Sequence, residues 1–293
     1  MTLKDTGMDK TIDGWVCGAL GVVIFSGSMP ATRAALAGFN PLFLTVARAA
    51  LAGLLALVLL TIFRQPRPTR GDLAPLAVVA FNVVLGFPLL AALALQHINA
   101  AQSQIFLGLL PLATAMFGAL RGGERPHRGF WLFAGLGSAC VVGGALRHGA
   151  DLPLEGVGLM LAAILVCGLG YAEGAKLSRK LGGWQVISWA LVFALPVMLA
   201  LCWLNAPATL AHVPGAAWAG LAYVAVFSML VGFVFWYRGL ALGGIAAVGQ
   251  LQLLQPALGL VASALVLHET VPPVMAIATI AIVLCVAGAK RFA

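Results

Sequence analysis

Acidic side chains are what this sequence has least of: nine aspartates and glutamates among 293 residues, with only 9% of the chain charged at all. A soluble domain carries about 25% charged residues, so water cannot solvate the whole surface of this chain. Cysteine is sparse too. Cys17, Cys140, Cys167, Cys202 and Cys285 lie singly in apolar runs, which excludes a disulfide framework and marks them as small buried hydrophobes. H-E-x-x-H and G-x-S-x-G are absent, and the five histidines (His97, His127, His148, His212, His268) stand at the ends of apolar runs or between them. No catalytic residue, metal ligand or cofactor is therefore expected, and an enzyme is disfavoured. There is no long polar stretch to make a soluble domain. The alternating ten-residue segments of a membrane β-barrel are missing as well.

What the chain does have is 62% hydrophobic residues. They are gathered into ten solid runs at roughly 14–35, 42–63, 73–95, 101–120, 130–147, 156–176, 184–204, 216–238, 244–267 and 272–289. A spanning helix needs about 20 apolar residues. The expectation is an all-α integral membrane protein of ten transmembrane helices. Residues 1–13, which mix Lys4, Asp5, Asp9, Lys10 and Asp13, form a short tail. They precede a full span and not a short apolar core with a cleavage site, so a signal peptide is rejected.

The basic residues orient the chain. Lys4, Lys10, Arg64, Arg67, Arg70, Arg121, Arg125, Arg128, Lys176, Arg179, Lys180, Arg238, Lys290 and Arg291 all fall on one side of a ten-span arrangement, against Arg147 alone in the opposite connections. The positive-inside rule puts that side, and both termini, in the cytoplasm. The net charge of +8 is then a topology signal and not a nucleic-acid footprint.

Two stretches repeat. Ala101, Leu109, Pro111, Ala119, Leu120 and Glu124 recur 145 positions later as Ala246, Leu254, Pro256, Ala264, Leu265 and Glu269. Proline and glutamate are 13 apart in both. This implies a doubled chain, 14–150 and 151–293, within one membrane domain. Five spans per unit is odd, so the second unit must enter from the other face. Inverted repeats of this kind build secondary transporters, with a solute site near the midplane between the units.

Phe25–Arg33 (F-S-G-S-M-P-A-T-R) and Asn40–Leu51 (N-P-L-F-L-T-V-A-R-A-A-L) resemble the opening of the EamA family of the drug/metabolite transporter superfamily. L-L-P-L-A-T-A-M-F-G-A-L-R-G-G-E and L-L-Q-P-A-L-G-L-V-A-S-A-L-V-L-H-E resemble its paired signature. The resemblance covers essentially the whole chain. It implies ten helices, inverted repeats and a central cavity serving small metabolites. Within the family, the chain is most similar to bacterial amino-acid exporters of the YddG type. The first span has no carboxylate, whereas the small multidrug relatives use one there, so proton-coupled cation export by that route is in doubt.

Polar residues inside spans are the candidates for solute contact. Gln102 and Gln104 open the fourth span; Gln250, Gln252 and Gln255 occupy the ninth, and Gln252 and Gln255 share a helix face. These amides either bind solute or join helices. Phe81 and Asn82 of the third span should face Ser228 and G-F-V-F-W-Y (from Gly232) of the eighth across the cavity. Tyr171 is a cavity-lining candidate, and Trp236 and Tyr237 read as membrane anchors. Glu173 is the one carboxylate placed inside a span, suited either to proton coupling or to a pair with Lys176 three residues on. Arg33 and Arg48 could grip a carboxylate; snorkelling to the outer surface is the simpler reading. Pro111 and Pro256 free backbone carbonyls and are candidate hinges. Gly14/Gly18, Gly170/Gly174 and Gly239/Gly243 permit close helix approach.

The expected function is export of small metabolites, amino acids above all, by alternating access. With no mid-membrane carboxylate, facilitated diffusion is expected; a proton-coupled drug or toxic-cation exporter is the alternative. The partners are a small-molecule substrate and the bilayer, with no nucleic acid, and the expected state is a monomer.

Overall fold

The computed structural model describes residues 5–146, 153–207, 209–267 and 284–285, and among these the regular structure is entirely helical. The tenth predicted span, apart from residues 284–285, and Glu269 lie outside them. In chain order the helices are α1 (Asp5–Ser26), α2 (Ser28–Ala35), α3 (Pro41–Ile62), α4 (Arg70–Val79), α5 (Phe87–Ala94), α6 (Ala100–Leu107) and α7 (Leu110–Gly122). They continue with α8 (Arg128–Leu146), α9 (Leu154–Leu181), α10 (Gly183–Leu204), α11 (Gly215–Ala222), α12 (Gly232–Gly243), α13 (Ile245–Gly249) and α14 (Gln255–Leu267). Several join into longer spans, so that seven helical stretches among the described residues are long and apolar enough to cross a membrane. The fourth predicted span is split into α6 and α7 instead.

The interruptions recur at matching places. A π-helical segment, Ala80–Gly86, links α4 to α5, and another, Tyr223–Val231, links α11 to α12. The chain breaks at residues 108–109 just before Pro111, and a 3₁₀ stretch, Gln250–Leu254, stands just before Pro256. Both prolines occupy the first turn of the helix that follows, where a missing N–H costs nothing. They restart helices and do not kink them.

Contacts at the two ends fix the sense of each helix. At one end, rich in arginine and lysine, the start of α1 meets the end of α12, where Gly14 lies against Gly243. There also Gln185 donates to Gln65 at 3.1 Å and Lys180 to Asp72 at 2.5 Å, joining the end of α9 and start of α10 to the end of α3 and start of α4. At the other end His97 lies 3.6 Å from Glu155, where α5 ends and α9 starts. Thus α1 leaves the basic end and α9 arrives at it; α3 arrives and α10 leaves; α4–α5 leaves and α11–α12 arrives; α6–α7 arrives and α13–α14 leaves. This is consistent with two repeats of opposite sense.

Glycine sets how closely the helices approach. Gly14 and Gly18 of α1 face Gly239 and Gly243 of α12, so that two of the three predicted small-residue pairs pack against each other. Gly170 and Gly174 of α9 receive Asn82, Val83 and Tyr237. The core between helices is otherwise aliphatic and aromatic, from Val22 and Phe25 of α1 to Trp236 and Tyr237 of α12. Trp236 and Tyr237 are fully buried. Tyr237 donates to the Gly170 carbonyl at 3.2 Å, which corrects the expectation that they anchor the protein at the headgroups.

Candidate functional site

A small enclosed pocket lies where α1, α2, α3, α5, α9, α12, α14 and the two π segments converge. Its walls include Phe25, Ser28, Arg48, Tyr171, Ser228, Phe233 and Gln255. Its volume is about 20 Å³, room for roughly a single water, which needs about 10–15 Å³. At this point the described helices leave room for little else, whereas a wider and more open hollow of about 710 Å³, lined by Gly27, Pro30, Arg33, Gly220, Tyr223 and Val266 among others, lies elsewhere in the bundle.

The polar part of the pocket is tied together across the chain. Ser28 donates to Ser228 at 2.8 Å, and Arg48 donates through Nη2 to the same hydroxyl oxygen at 3.1 Å. Arg48 Nε and Gln255 Oε1 are buried without a hydrogen-bond partner. The apolar part is a ring cluster. Phe25 and Phe233 have centroids 4.9 Å apart, Tyr171 lies 5.7 Å from Phe233, and Trp236 backs Tyr171 at 5.5 Å.

Arg48 is the residue that the sequence reading placed wrongly. It does not snorkel: it is 6% exposed and forms part of the pocket wall. Counting from Pro41, it sits seven residues into α3, about 10 Å along the axis at 1.5 Å per residue. That depth was the available signal. Arg33, by contrast, is exposed and donates to the Leu95 carbonyl at the far end of α5.

Of the eight solute-binding candidates, the structure brings Tyr171 and Gln255 to the pocket. Phe81 is 63% exposed and points out of the bundle, about 100° around the helix from its buried neighbour Asn82. Asn82 is buried but donates to the Val78 carbonyl at 2.8 Å and lies against Gly170. Gln102 is a capping residue. Its side chain accepts from Asn99 N–H at 2.9 Å while Asn99 accepts from Gln102 N–H at 2.7 Å, a reciprocal cap at the start of α6. Gln102→Ala is accordingly expected to cost about 1 kcal/mol in unfolding of the purified protein and to leave solute movement unchanged.

The remaining amides sit elsewhere in the bundle. Gln252 accepts from Thr114 of α7 at 3.2 Å, so it does not join Gln255 in the pocket despite their shared face. Gln104 packs against Gly259 of α14. Both polar atoms of Gln104 and of Gln250 are buried and unpartnered. Within a bilayer each unmet group costs several kcal/mol, so these amides want water, a solute or one another.

Glu173 is 3% exposed and accepts from Arg121 Nε of α7 at 3.2 Å. Its partner is therefore on another helix and not the expected Lys176. Glu124 stands beside this pair. Gly123, at φ +71, turns the chain after α7 through a conformation that glycine adopts without strain. The Glu124 carboxylate then accepts from Ile245 N–H at 2.7 Å, Ala246 N–H at 2.8 Å and Arg179 at 3.0 Å. An acid at a helix start satisfies free N–H groups and meets the positive end of the dipole. With Lys180–Asp72 and Gln185–Gln65, these links all join the first half of the chain to the second, and all lie at the basic end.

The EamA-like transporter family model matches this chain twice, over residues 13–144 and 154–289. The chain belongs to the EamA-like transporter family. A relative described as an uncharacterized transporter, YdeK of Bacillus subtilis (strain 168), is 60% identical over 286 residues, covering 98% of this chain and 100% of YdeK. A solved crystal structure with 19% identity aligns at a TM-score of 0.73 over 95% of this chain and 96% of its own. That likeness bears on the fold alone. As an EamA-like transporter, this is a multi-pass membrane protein that moves solutes.

Proposed function

We propose that the protein exports small metabolites, amino acids first among them, across the bacterial inner membrane by alternating access of the central pocket. In this reading ten helices form two inverted five-helix repeats, residues 14–150 and 151–293, with both termini and the basic end in the cytoplasm. The carrier works as a monomer. The observation that carries the reading is the buried pocket itself: polar groups from both halves of the chain meet deep in an apolar bundle, where they are costly unless used. The resemblance to amino-acid exporters supports the substrate class.

The cross-half links at the basic end fit a carrier closed on that side, which opens there by parting those links. Transport is facilitated diffusion, because Glu173 is held by Arg121 and no acid among the described residues lines the pocket. The same two facts count against a proton-coupled exporter of cations. Counterflow in proteoliposomes tests the proposal. Labelled amino acid should accumulate transiently against unlabelled solute, insensitively to a protonophore and in Glu173→Gln as in the wild type. Linear, non-saturating flux would indicate a pore. Collapse with the protonophore and in Glu173→Gln would establish coupling.

A further inference from the structure

We infer that Arg48 is the anchor for a carboxylate on the transported solute, and that a carboxylate is the one group the solute must carry. This rests on the carrier reading above and names the chemistry of its site.

The argument is one of charge. Arg48 is buried in the middle of the bundle, and its only hydrogen bond to protein among the described residues is to a neutral hydroxyl, Ser228 Oγ at 3.1 Å. No Asp or Glu among the described residues lines the pocket. Among the described residues Asp72 is paired with Lys180, Glu124 with Arg179, Glu155 with His97 and Glu173 with Arg121, and Asp13 is exposed near the start of α1. A guanidinium removed from water without a counter-ion is costly, and membrane proteins keep such groups where a ligand completes them. Nε has no partner, Ser28 and Ser228 stand alongside, and a planar carboxylate matches the guanidinium fork.

Two features narrow the class. Among the described residues the pocket offers one cation, Arg48, so a phosphate dianion would lack the second charge it needs. A carboxylate is balanced by Arg48 alone. Opposite it lie an unpartnered acceptor, Gln255 Oε1, and the ring faces of Phe25, Tyr171 and Phe233, which can receive an ammonium or an apolar side chain. A zwitterion and a simple monocarboxylate both fit; an amine whose carboxylate has been replaced does not.

The test uses the full-length protein in detergent with three matched probes: L-leucine, 4-methylpentanoate and leucinamide. At saturation the two carboxylates are expected to raise the melting temperature by about 5 °C, and leucinamide by none. Arg48→Gln should lose the response to both acids. Arg48→Lys keeps the charge without the fork and should weaken it at least tenfold. Should Arg48→Gln fail to fold, Ser228→Ala keeps the arginine and removes the hydroxyl that holds it, together with that hydroxyl's bond from Ser28. It should reduce the preference for leucine over leucinamide, which a purely structural arginine would not affect. No stabilisation by either acid, or equal stabilisation by leucine and leucinamide, overturns the inference. Counterflow separates the two readings. Acid-selective binding without counterflow refutes the carrier and leaves the site standing, whereas counterflow indifferent to the carboxylate refutes the site and leaves the carrier.

Discussion

Glu124→Ala is expected to lower the stability of the folded protein by about 3 kcal/mol, since hydrogen bonds to a charged group contribute about 1.5–3 kcal/mol each and water at the bundle's end recovers part of the loss. The carboxylate takes two backbone N–H groups at the start of α13, at 2.7 and 2.8 Å, as well as the guanidinium of Arg179. The glutamate side chain is 18% exposed, whereas that of Arg179 is 43% exposed. Solvent screening limits exposed ion pairs to about 0–1 kcal/mol. The backbone bonds therefore dominate, and Arg179→Ala should cost well under half as much. Chemical or thermal unfolding of both variants in micelles decides the matter. Equal losses would mean that the ion pair, and not the cap, holds this corner.

Gly239→Val should be the most damaging single change described here. A Cβ at this position would lie 2.6 Å from the backbone nitrogen of Gly18 and 2.9 Å from the Gly14 carbonyl oxygen. Backbone cannot rotate away as a side chain can, so α1 and α12 must separate along their shared length. Overpacking typically costs about 1–3 kcal/mol and occasionally more; with two further methyl groups this variant is expected at the upper end or beyond, seen as loss of folded protein on size-exclusion chromatography. Gly158→Ala is the control. Nothing lies within 4 Å of its added Cβ, and inside α9 alanine should gain about 0.5–1 kcal/mol. If Gly239→Val behaved like the control, the close approach of α1 and α12 would be wrong.

The membrane class and the doubling were legible because they rest on composition and spacing, which tertiary packing does not rearrange. Pro111 and Pro256 were read as hinges inside continuous spans, where the structure begins new helices at them, and the glycine pairs of α1 and α12 marked close approach without naming each other as partners. The site was harder to read. Whether a polar residue faces a pocket depends on its rotation about the helix axis, and the π segments and the 3₁₀ stretch change that rotation locally. Phe81 and Asn82 are adjacent, about 100° apart on a helix, and could not both face the pocket; Gln252 met Thr114 of α7, a partner that spacing along its own helix does not reveal. Gln102 belonged to a cap whose other member, Asn99, lies just outside the predicted span. Arg48 was misread because snorkelling was judged by residue type without counting its depth. The two π segments themselves left no recognisable mark in the residue pattern.

The smallness of the central void bears on how affinity should be understood. At about 20 Å³ the pocket at Arg48 admits no amino acid, so a solute reaches that arginine only in molecules whose surrounding helices have already parted. Measured binding is then the intrinsic affinity multiplied by the fraction open: a conformer populated at roughly 1% binds about a hundredfold more weakly than its contacts alone would give. A residue far from the solute, such as Asp72 or Arg121 at the basic end, can thereby set the concentration at which the protein responds while never touching what it carries.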